Sequence, residues 1–368
     1  MELQNLSKRL GEVRQLAKLS QTALARQLGV SPSLISLWES GERLPSQEQL
    51  LEVAGAAGVS LDYLLNAETL PHFKFRGKAT LPSARKVACD TVMRDAAQQV
   101  HALHSAYKLA SQAPKPFGLK MQFVSGALPA VAAQVRDYFR LNRRVTLPEL
   151  KQALVEQNIH VFEWDMPSEI SGLSYRGTLT VIIVNHRHPV ARRLFTLAHE
   201  LAHVLFHLGN GESVVVSEIA SNRDPLEKQA NQFAAELLMP TKDLDQLERD
   251  HRGQLERTSF LPVAANVFNV SPDAMFYRLA ERKILSWSDK NRFLRNIEPS
   301  QDIPPFRVMI IPEQVDPEFL GLGLRLYTSE AVSSGKLAEW FFTSRLKLEE
   351  YFGGLDRAEF EMESENGD

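Results

Sequence analysis

The chain of 368 residues is 44% hydrophobic and 24% charged, the balance of a globular protein, and it is too long for one ordinary core, so two to three domains are expected. A formal charge of −3 excludes a broadly basic nucleic-acid coat, and the single cysteine, Cys89, excludes an internal disulfide and fits a reducing cytoplasm. No apolar run approaches the ~18 residues that span a bilayer, and acidic Glu2 is followed by no apolar secretory stretch, so a cytoplasmic location away from membranes is expected.

The expected fold class is multidomain, mainly α with α+β, divided at 1–67, 68–130, 131–285 and 286–368. Residues 1–67 carry four or five short helical patterns, broken at Leu19-Ser20, Gly29-Val30-Ser31-Pro32 and Gly41-Glu42-Arg43-Leu44-Pro45. Ser20 is placed to cap Gln21–Leu28, and Ser31 to cap Pro32–Glu39, with Pro32 at the tolerated first position. Two short helices joined by a brief turn containing glycine make a helix-turn-helix. Leu16, Leu24, Leu28, Val30, Ile35, Trp38, Leu50 and Leu64 read as its core.

The segment SQTALARQLGVSPSLISLWESGERLPS resembles the XRE, or lambda-repressor-like, family, and the resemblance covers about residues 5–66. Cap, turn, Trp38-Glu39 and Gly41-x-Arg43-x-Pro45 all fall in family positions. Double-stranded DNA is the partner this implies. Ser33, Ser36 and Leu37 read as the exposed candidates on the helix that would enter the groove, a poor donor set for bases, while Ser31 at its cap, Gln21, Arg43 and the amide end of Pro32–Glu39 suit phosphates. Residues 1–66 hold six Lys or Arg against seven Asp or Glu, so the module is not basic overall. The alternative is a docking or dimerising module that has lost readout.

In the connector, residues 71–82 look irregular between Pro71 and Pro82. A helical pattern then runs from Ser83, with Ala88, Val92, Ala96, Val100, Leu103 and Tyr107 along one face. A helix of this length needs a partner surface, either the following domain or a second copy, which makes a homodimer one expectation. His101 and His104 read as surface residues.

Residues 131–285 open with helices Val131–Leu141 and Pro148–Gln157 and strand Ile159–Trp164. Gly172 and Gly177 bracket an expected turn before strand Leu179–Asn185, which is expected to offer an exposed edge to an extended substrate. Next comes RRLFTLAHELAHVLFH, Arg192–His207, whose Leu194, Leu197, Leu201, Val204, Leu205 and Leu208 recur at helical spacing. His199 and His203, four apart, project from one face toward a single metal ion, and Glu200 sits beside them to work on a metal-bound water. The alternative is a buried amphipathic helix with hydrogen-bonded core histidines. His207 is rotated from His199 by roughly 80° and is expected to support the ligands from behind.

A second helix, Leu226–Met239, stops at Pro240 and places Glu227 and Asn231 four apart on one face. Glu227 supplies a third ligand and leaves a fourth position open for water, as in catalytic zinc sites, with Glu236 as the rival carboxylate. Asn231 is placed to accept from the remote N–H of a ligand histidine. His186 and His188 read as exposed turn residues. Beyond 285, Phe306–Ile311 and Leu320–Tyr327 read as strands, Leu337–Tyr351 as a helix, and Glu359–Asp368 as a disordered acidic tail.

AHELAHVLFH, Glu227-x-x-Ala230-Asn231, FAAELLMP and the later VAANVFNVSPDAMFYRL resemble the ImmA/IrrE family of bacterial metallopeptidases over roughly residues 150–285. The resemblance implies a zincin-like fold, ligands at His199, His203 and Glu227, a catalytic glutamate at Glu200, and fusion to XRE modules. It also implies a transcriptional repressor as the protein substrate, in stress, phage or mobile-element circuits. The expected function is therefore a zinc-dependent endopeptidase, with one Zn2+ per chain and Mn2+ admissible. The alternative is a DNA-binding regulator or antitoxin-like protein whose peptidase fold senses a ligand with little turnover.

Overall fold

Serine caps and glycine stops cut the first third of the chain into short helices. The computed structural model describes residues 3–59, 61–65, 83–209, 213–218, 224–294 and 314–348. They fall into two units, Met1–Gln112 and Ala113–Asp368.

The first unit contains α1 (Leu3–Leu16), α2 (Gln21–Gln27), α3 (Pro32–Ser40), α4 (Gln47–Ala57), α5 (Leu61–Leu65) and α6 (Ser83–Leu109). Ser20 Oγ accepts from Ala23 N at 3.0 Å and Ser31 Oγ from Leu34 N at 3.3 Å, which orders the starts of α2 and α3. Leu24, Ile35, Trp38, Leu50 and Leu64 are buried together, with Leu28 and Val30 packed at the margin; the side chain of Leu16 lies outside the description. Arg14 locks the motif from behind, donating to Glu39 at 2.5 and 2.9 Å and to Leu19 O at 2.7 Å.

Helix α6, expected to pack on the following domain or on a second copy, has a partner surface on the bundle of its own unit. Ala97 joins the bundle core, and Arg94 and Gln98 donate to Ala57 O and Gly58 O at the end of α4. Those terminal carbonyls have no partner within their own helix, so a cation and an amide from α6 satisfy them. His101 is buried rather than exposed, with its ring nitrogen 3.4 Å from Ser105 Oγ.

The second unit runs α7 (Leu128–Tyr138), α8 (Leu147–Val155), β1 (Ile159–Trp164), β2 (Ile170–Arg176), β3 (Thr180–Asn185), α9 (Val190–Ala202), β4 (Ser213–Glu218) and α10 (Pro225–Leu238). It continues through α11 (Thr241–Asp250), α12 (Leu261–Val267), α13 (Pro272–Glu281), α14 (Lys290–Leu294), α15 (Pro317–Thr328) and α16 (Ser334–Trp340). The sheet order is β1-β3-β2-β4, with β1 parallel to β3 and the other pairs antiparallel. Helices α8, α9 and α10 share one apolar core with the sheet, where Leu150, Leu197, Leu201, Phe233 and Ile182 are fully buried. Among the described residues no helix is long and apolar enough to cross a membrane.

Three expectations are corrected. Gly172 lies inside strand β2, and the turn to β3 is made at Gly177, whose N–H reaches Leu179 O at 2.8 Å. Strand β3 is central, so it offers no edge; the sheet edges are β1 and β4. The outer side of β1 is engaged by Asp316, which accepts from Val161 N at 3.1 Å. Finally, Leu320–Tyr327 is helical within α15. Asp316 caps it and Pro317 starts it, and Phe319, Leu322 and Leu326 bury one face at helical spacing. Its glycines mimic a strand boundary, but Gly323 answers close packing: a Cβ there would lie 2.6 Å from Phe341 Cζ and 2.7 Å from Leu337 Cδ1. The expected Leu337–Tyr351 helix is broken: α16 spans Ser334–Trp340, Phe342 takes a left-handed φ of 49°, and a separate helical stretch starts at 345. Phe306–Ile311, residues 71–82 and Glu359–Asp368 lie outside the described residues.

Candidate metal centre

Helix α9 ends as an α-helix at Ala202 and widens into one π-helical turn, His203–His207. Its closing bond, Leu208 N to His203 O at 2.9 Å, spans five residues. Two carbonyls of the wide turn are taken from outside it, Val204 O by Arg176 at 2.7 Å and Leu205 O by Met121 N at 3.1 Å. The extra residue per turn carries His207 around to the face of His203. Their rings lie 4.8 Å apart, much as those of His199 and His203 do at 4.9 Å, so the three histidines step along one face.

His199, His203 and Glu227 meet across α9 and α10, all three buried. His199 Nε2 lies 3.1 Å from Glu227 Oε2 and 3.1 Å from His203 Nε2, which is 3.3 Å from Glu227 Oε1. Hydrogen bonds behind the rings fix what these atoms can be. Asn231 Oδ1, 2.9 Å from His199 Nδ1, accepts the proton there and leaves a lone pair on Nε2. Gln229 Oε1, 3.1 Å from His207 Nε2, accepts in the same way. His207 Nδ1 is then the acceptor for the Nδ1–H of His203, 3.0 Å away, and His203 Nε2 also keeps its lone pair. Two imidazole lone pairs and a carboxylate therefore face one point.

Only a cation reconciles them. Donors at about 2.0–2.2 Å from a tetrahedral zinc are ~3.3 Å apart, close to the separations observed. The residues present fit zinc in number, type and spacing. Without a metal, a proton serves: burial works against charge on His199, yet the Glu227 hydrogen bond and the charges of Glu200 and Glu227 raise its pKa above the ordinary value. Burial pushes Glu227 up as well, but hydrogen bonds from His199 and His203 outweigh it and hold the carboxyl at about 2. Burial and the neighbouring His203 lower His207 to about 4, so it is neutral at pH 7, as its acceptor role requires.

Glu200 stands beside this triad on α9, fully buried. Burial raises its pKa, and the charges of His203 and His199 only partly oppose that. Glu236, the rival carboxylate, is committed elsewhere: it pairs with Arg278 and accepts from Thr241 N and Oγ1 at 2.8 Å each.

Residues 155–280 match the model of the peptidase M78 family, described as the IrrE N-terminal-like domain, and residues 10–64 match the helix-turn-helix family model. The chain joins an XRE-type helix-turn-helix to an IrrE/ImmA-like peptidase-family domain. It is 33% identical over 84 residues to uncharacterized immunity region protein 2 of Bacillus phage phi105, covering 23% of the chain and 53% of that protein. It is 38% identical over 68 residues to repressor protein C2 of Salmonella phage P22, covering 18% and 32%. It is 35% identical over 63 residues to the uncharacterized HTH-type transcriptional regulator YqaE of Bacillus subtilis (strain 168), covering 17% and 54%. The chain thus spans about half, or less, of the length of these curated relatives.

In the helix-turn-helix, Ser31, Ser33, Ser36 and Arg43 are exposed, whereas Gln21 is half-buried and its amide donates to Glu39 at 2.9 Å. Ser31 is engaged as the cap of α3. In the IrrE-like domain, His188 is buried with Nε2 3.2 Å from Ser168 O, and half-buried His186 meets Glu163 at 3.4 Å; neither is an exposed turn residue. Three contributors escaped the sequence reading. Gln229 ends the histidine relay, and its only sequence signal is its place two residues after Glu227. Ser174 donates to Glu200 at 2.8 Å, and Gly172 lies under the same side chain; both sit on a strand whose pairing the sequence does not reveal.

Proposed function

We propose that this chain is a zinc-dependent endopeptidase joined to a DNA-binding module, and that it cuts a transcriptional repressor or similar regulatory protein in a phage, mobile-element or stress circuit. The observation that carries the peptidase half is the convergence of the His199 and His203 lone pairs and the Glu227 carboxylate, with Glu200 buried beside them. A bound zinc supplies Lewis acidity and makes water a stronger acid, and three protein ligands leave room for water and substrate. Manganese suits the same donors. Asn231 and His207 hold the ligand rings in the tautomer that binds metal.

Glu200 is the proposed general base and acid. Its raised pKa brings it toward the working range of a proton carrier, so it takes a proton from the attacking water and hands it to the leaving amine. The match of residues 155–280 to a peptidase family model supports the reaction class. Relatives named as a phage repressor and an immunity-region protein support the regulatory setting and a cytoplasmic location. Exposed Ser33, Ser36 and Arg43 and the amide end of α3 support duplex binding through phosphates more than through bases.

The test pairs the purified chain with the repressor encoded nearest its own gene. Wild type should cut it at a defined bond, located by mass spectrometry. Glu200→Gln should keep its zinc and lose cleavage by at least ~100-fold. Cleavage by Glu200→Gln at the wild-type rate would remove the peptidase mechanism. For the DNA half, affinity for the chain's own promoter should fall steeply with salt. Absence of binding at low salt would leave the N-terminal domain a docking module.

A further inference from the structure

Glu200 is placed by the sheet as well as by its own helix. Ser174, in the middle of β2, is fully buried, and its hydroxyl donates to Glu200 Oε2 at 2.8 Å. Two residues earlier on the same face of the strand, Gly172 passes directly beneath the same side chain. A Cβ at Gly172 would fall 2.8 Å from Glu200 Oε1, 3.0 Å from its Cγ and 2.9 Å from Thr196 Cγ2. The carboxylate thus rests on a stretch of bare backbone, with a hydroxyl holding one oxygen.

The support is stiff. Gly172 and Ser174 pair with Val184 and Ile182 of central β3 on one side and with Ser217 and Val215 of β4 on the other. Neither can move without displacing the sheet. The two carboxylate oxygens are treated differently: Oε2 holds the Ser174 hydroxyl at 2.8 Å, while buried Oε1 has no partner at hydrogen-bond distance, although the Ser217 side chain of β4 also faces this carboxylate. A buried carboxylate with both oxygens unheld would rotate about its last torsion, which is broad for glutamate. Anchoring Oε2 on Ser174 leaves Oε1 the oxygen more open to a group that arrives from outside.

We infer that Ser174 and Gly172 are positioning residues for Glu200, the serine by holding one carboxylate oxygen and the glycine by leaving the space the carboxylate occupies. The inference rests on the zinc-peptidase reading, and its test separates the two. The full chain is loaded with Co(II), and acetohydroxamate binding is followed in the visible spectrum alongside metal content and melting temperature. This probe gives its hydroxyl proton to a well-placed carboxylate beside the metal, so its affinity reports the position of Glu200 without turnover.

All variants should keep one metal per chain. Glu200→Gln should weaken the probe at least ~10-fold and Ser174→Ala by about three- to tenfold, the scale of one ordinary hydrogen bond. Gly172→Ala should approach the Glu200→Gln effect, because its methyl displaces the carboxylate outright. Ile182→Val, a core change in the same sheet, should lower the melting temperature and leave probe affinity unchanged. Unchanged affinity in Glu200→Gln would overturn the zinc-peptidase reading itself. A weakened Glu200→Gln beside wild-type affinity in both Ser174→Ala and Gly172→Ala would overturn the positioning role alone. If Ser174→Ala fails to fold, Ser174→Cys, of similar size and a weaker donor, is judged by the same thresholds.

Discussion

Two buried glutamates of the second unit, Glu163 on β1 and Glu227 on α10, are both held at about 2, and they differ in where the compensating charge comes from. Around Glu163 the protein supplies it. Lys151 Nζ lies 2.8 Å away, Arg193 donates at shorter range, and His186 approaches at 3.4 Å. Burial alone would raise this carboxyl, but those partners overcome it. Around Glu227 the partners are imidazoles whose outward protons are already given to Asn231 and His207. They can stabilise the carboxylate only by taking up a proton or by sharing a metal. A self-contained ion cluster is part of the architecture; a cluster that lacks its own cation is a site.

The largest difference should appear on removing each carboxylate. Glu227→Ala should take metal content from about one ion per chain to near zero, and the melting temperature should fall with it, because ligand binding energy is partly folding energy. Glu236→Ala should keep the metal; if the two variants behave in reverse, the ligand is Glu236. Glu163→Gln should keep its metal and lose about 1–3 kcal/mol of stability, since it leaves the partly buried Lys151 and Arg193 without their counter-charge. Denaturant unfolding with metal analysis separates the two outcomes. Wild type should also show the sign expected of a depressed carboxyl. The stability contributed by Glu163 is present above its unfolded value of 4.5 and is lost as pH falls from there toward about 2. Glu163→Gln should show a shallower loss across that window.

A smaller effect is expected behind the ligands. Asn231→Ala and Gln229→Ala leave the three donors in place and free the rings to turn, so zinc affinity should drop by about 10–100-fold. Competition with a chromophoric chelator measures it. Equal affinity in wild type and Gln229→Ala would mean that the relay through His207 does not set the tautomer of His203.

The same distinction explains what could be read from the chain beforehand. Periodicity marks elements that bury one face, so α2, α3, β1, α9 and α10 were all visible in the spacing of Leu24, Ile35, Ile159, Leu197 and Phe233. Ligand spacing of four within a helix is local, and His199 and His203 follow from it; Glu227 needed a second helix but carried its own pattern. What was hidden depends on pairing between distant segments. Nothing in the order of the strands says that β2 rather than β1 lies under Glu200, so Gly172 read as a turn and Ser174 carried no signal. The π-helical turn is set by Arg176 and Met121, far away in sequence, and so His207 appeared further around the helix than it is. Alternation of leucine with Gly321 and Gly323 imitated a strand in α15, where the deciding contacts come from Leu337 and Phe341.

The smallest expected effect concerns Ser31, which has one role inside the molecule and one proposed role outside it. Inside, its hydroxyl accepts from Leu34 N and caps α3. Outside, it is exposed at the amide end of the same helix, where a phosphate would sit. Ser31→Ala removes the cap and should cost about 1 kcal/mol, while duplex binding changes little at saturating stability. Ser31→Asp keeps a good cap, because an aspartate oxygen accepts from the same amide and its charge suits the helix end. The charge that stabilises the free helix repels a DNA phosphate, so stability should stay within about 0.5 kcal/mol of wild type while DNA affinity at low salt falls. Melting curves and fluorescence anisotropy on the two variants resolve the roles. Ser31→Asp binding DNA as tightly as wild type would confine Ser31 to its cap and leave Ser33, Ser36 and Arg43 as the residues that face the duplex.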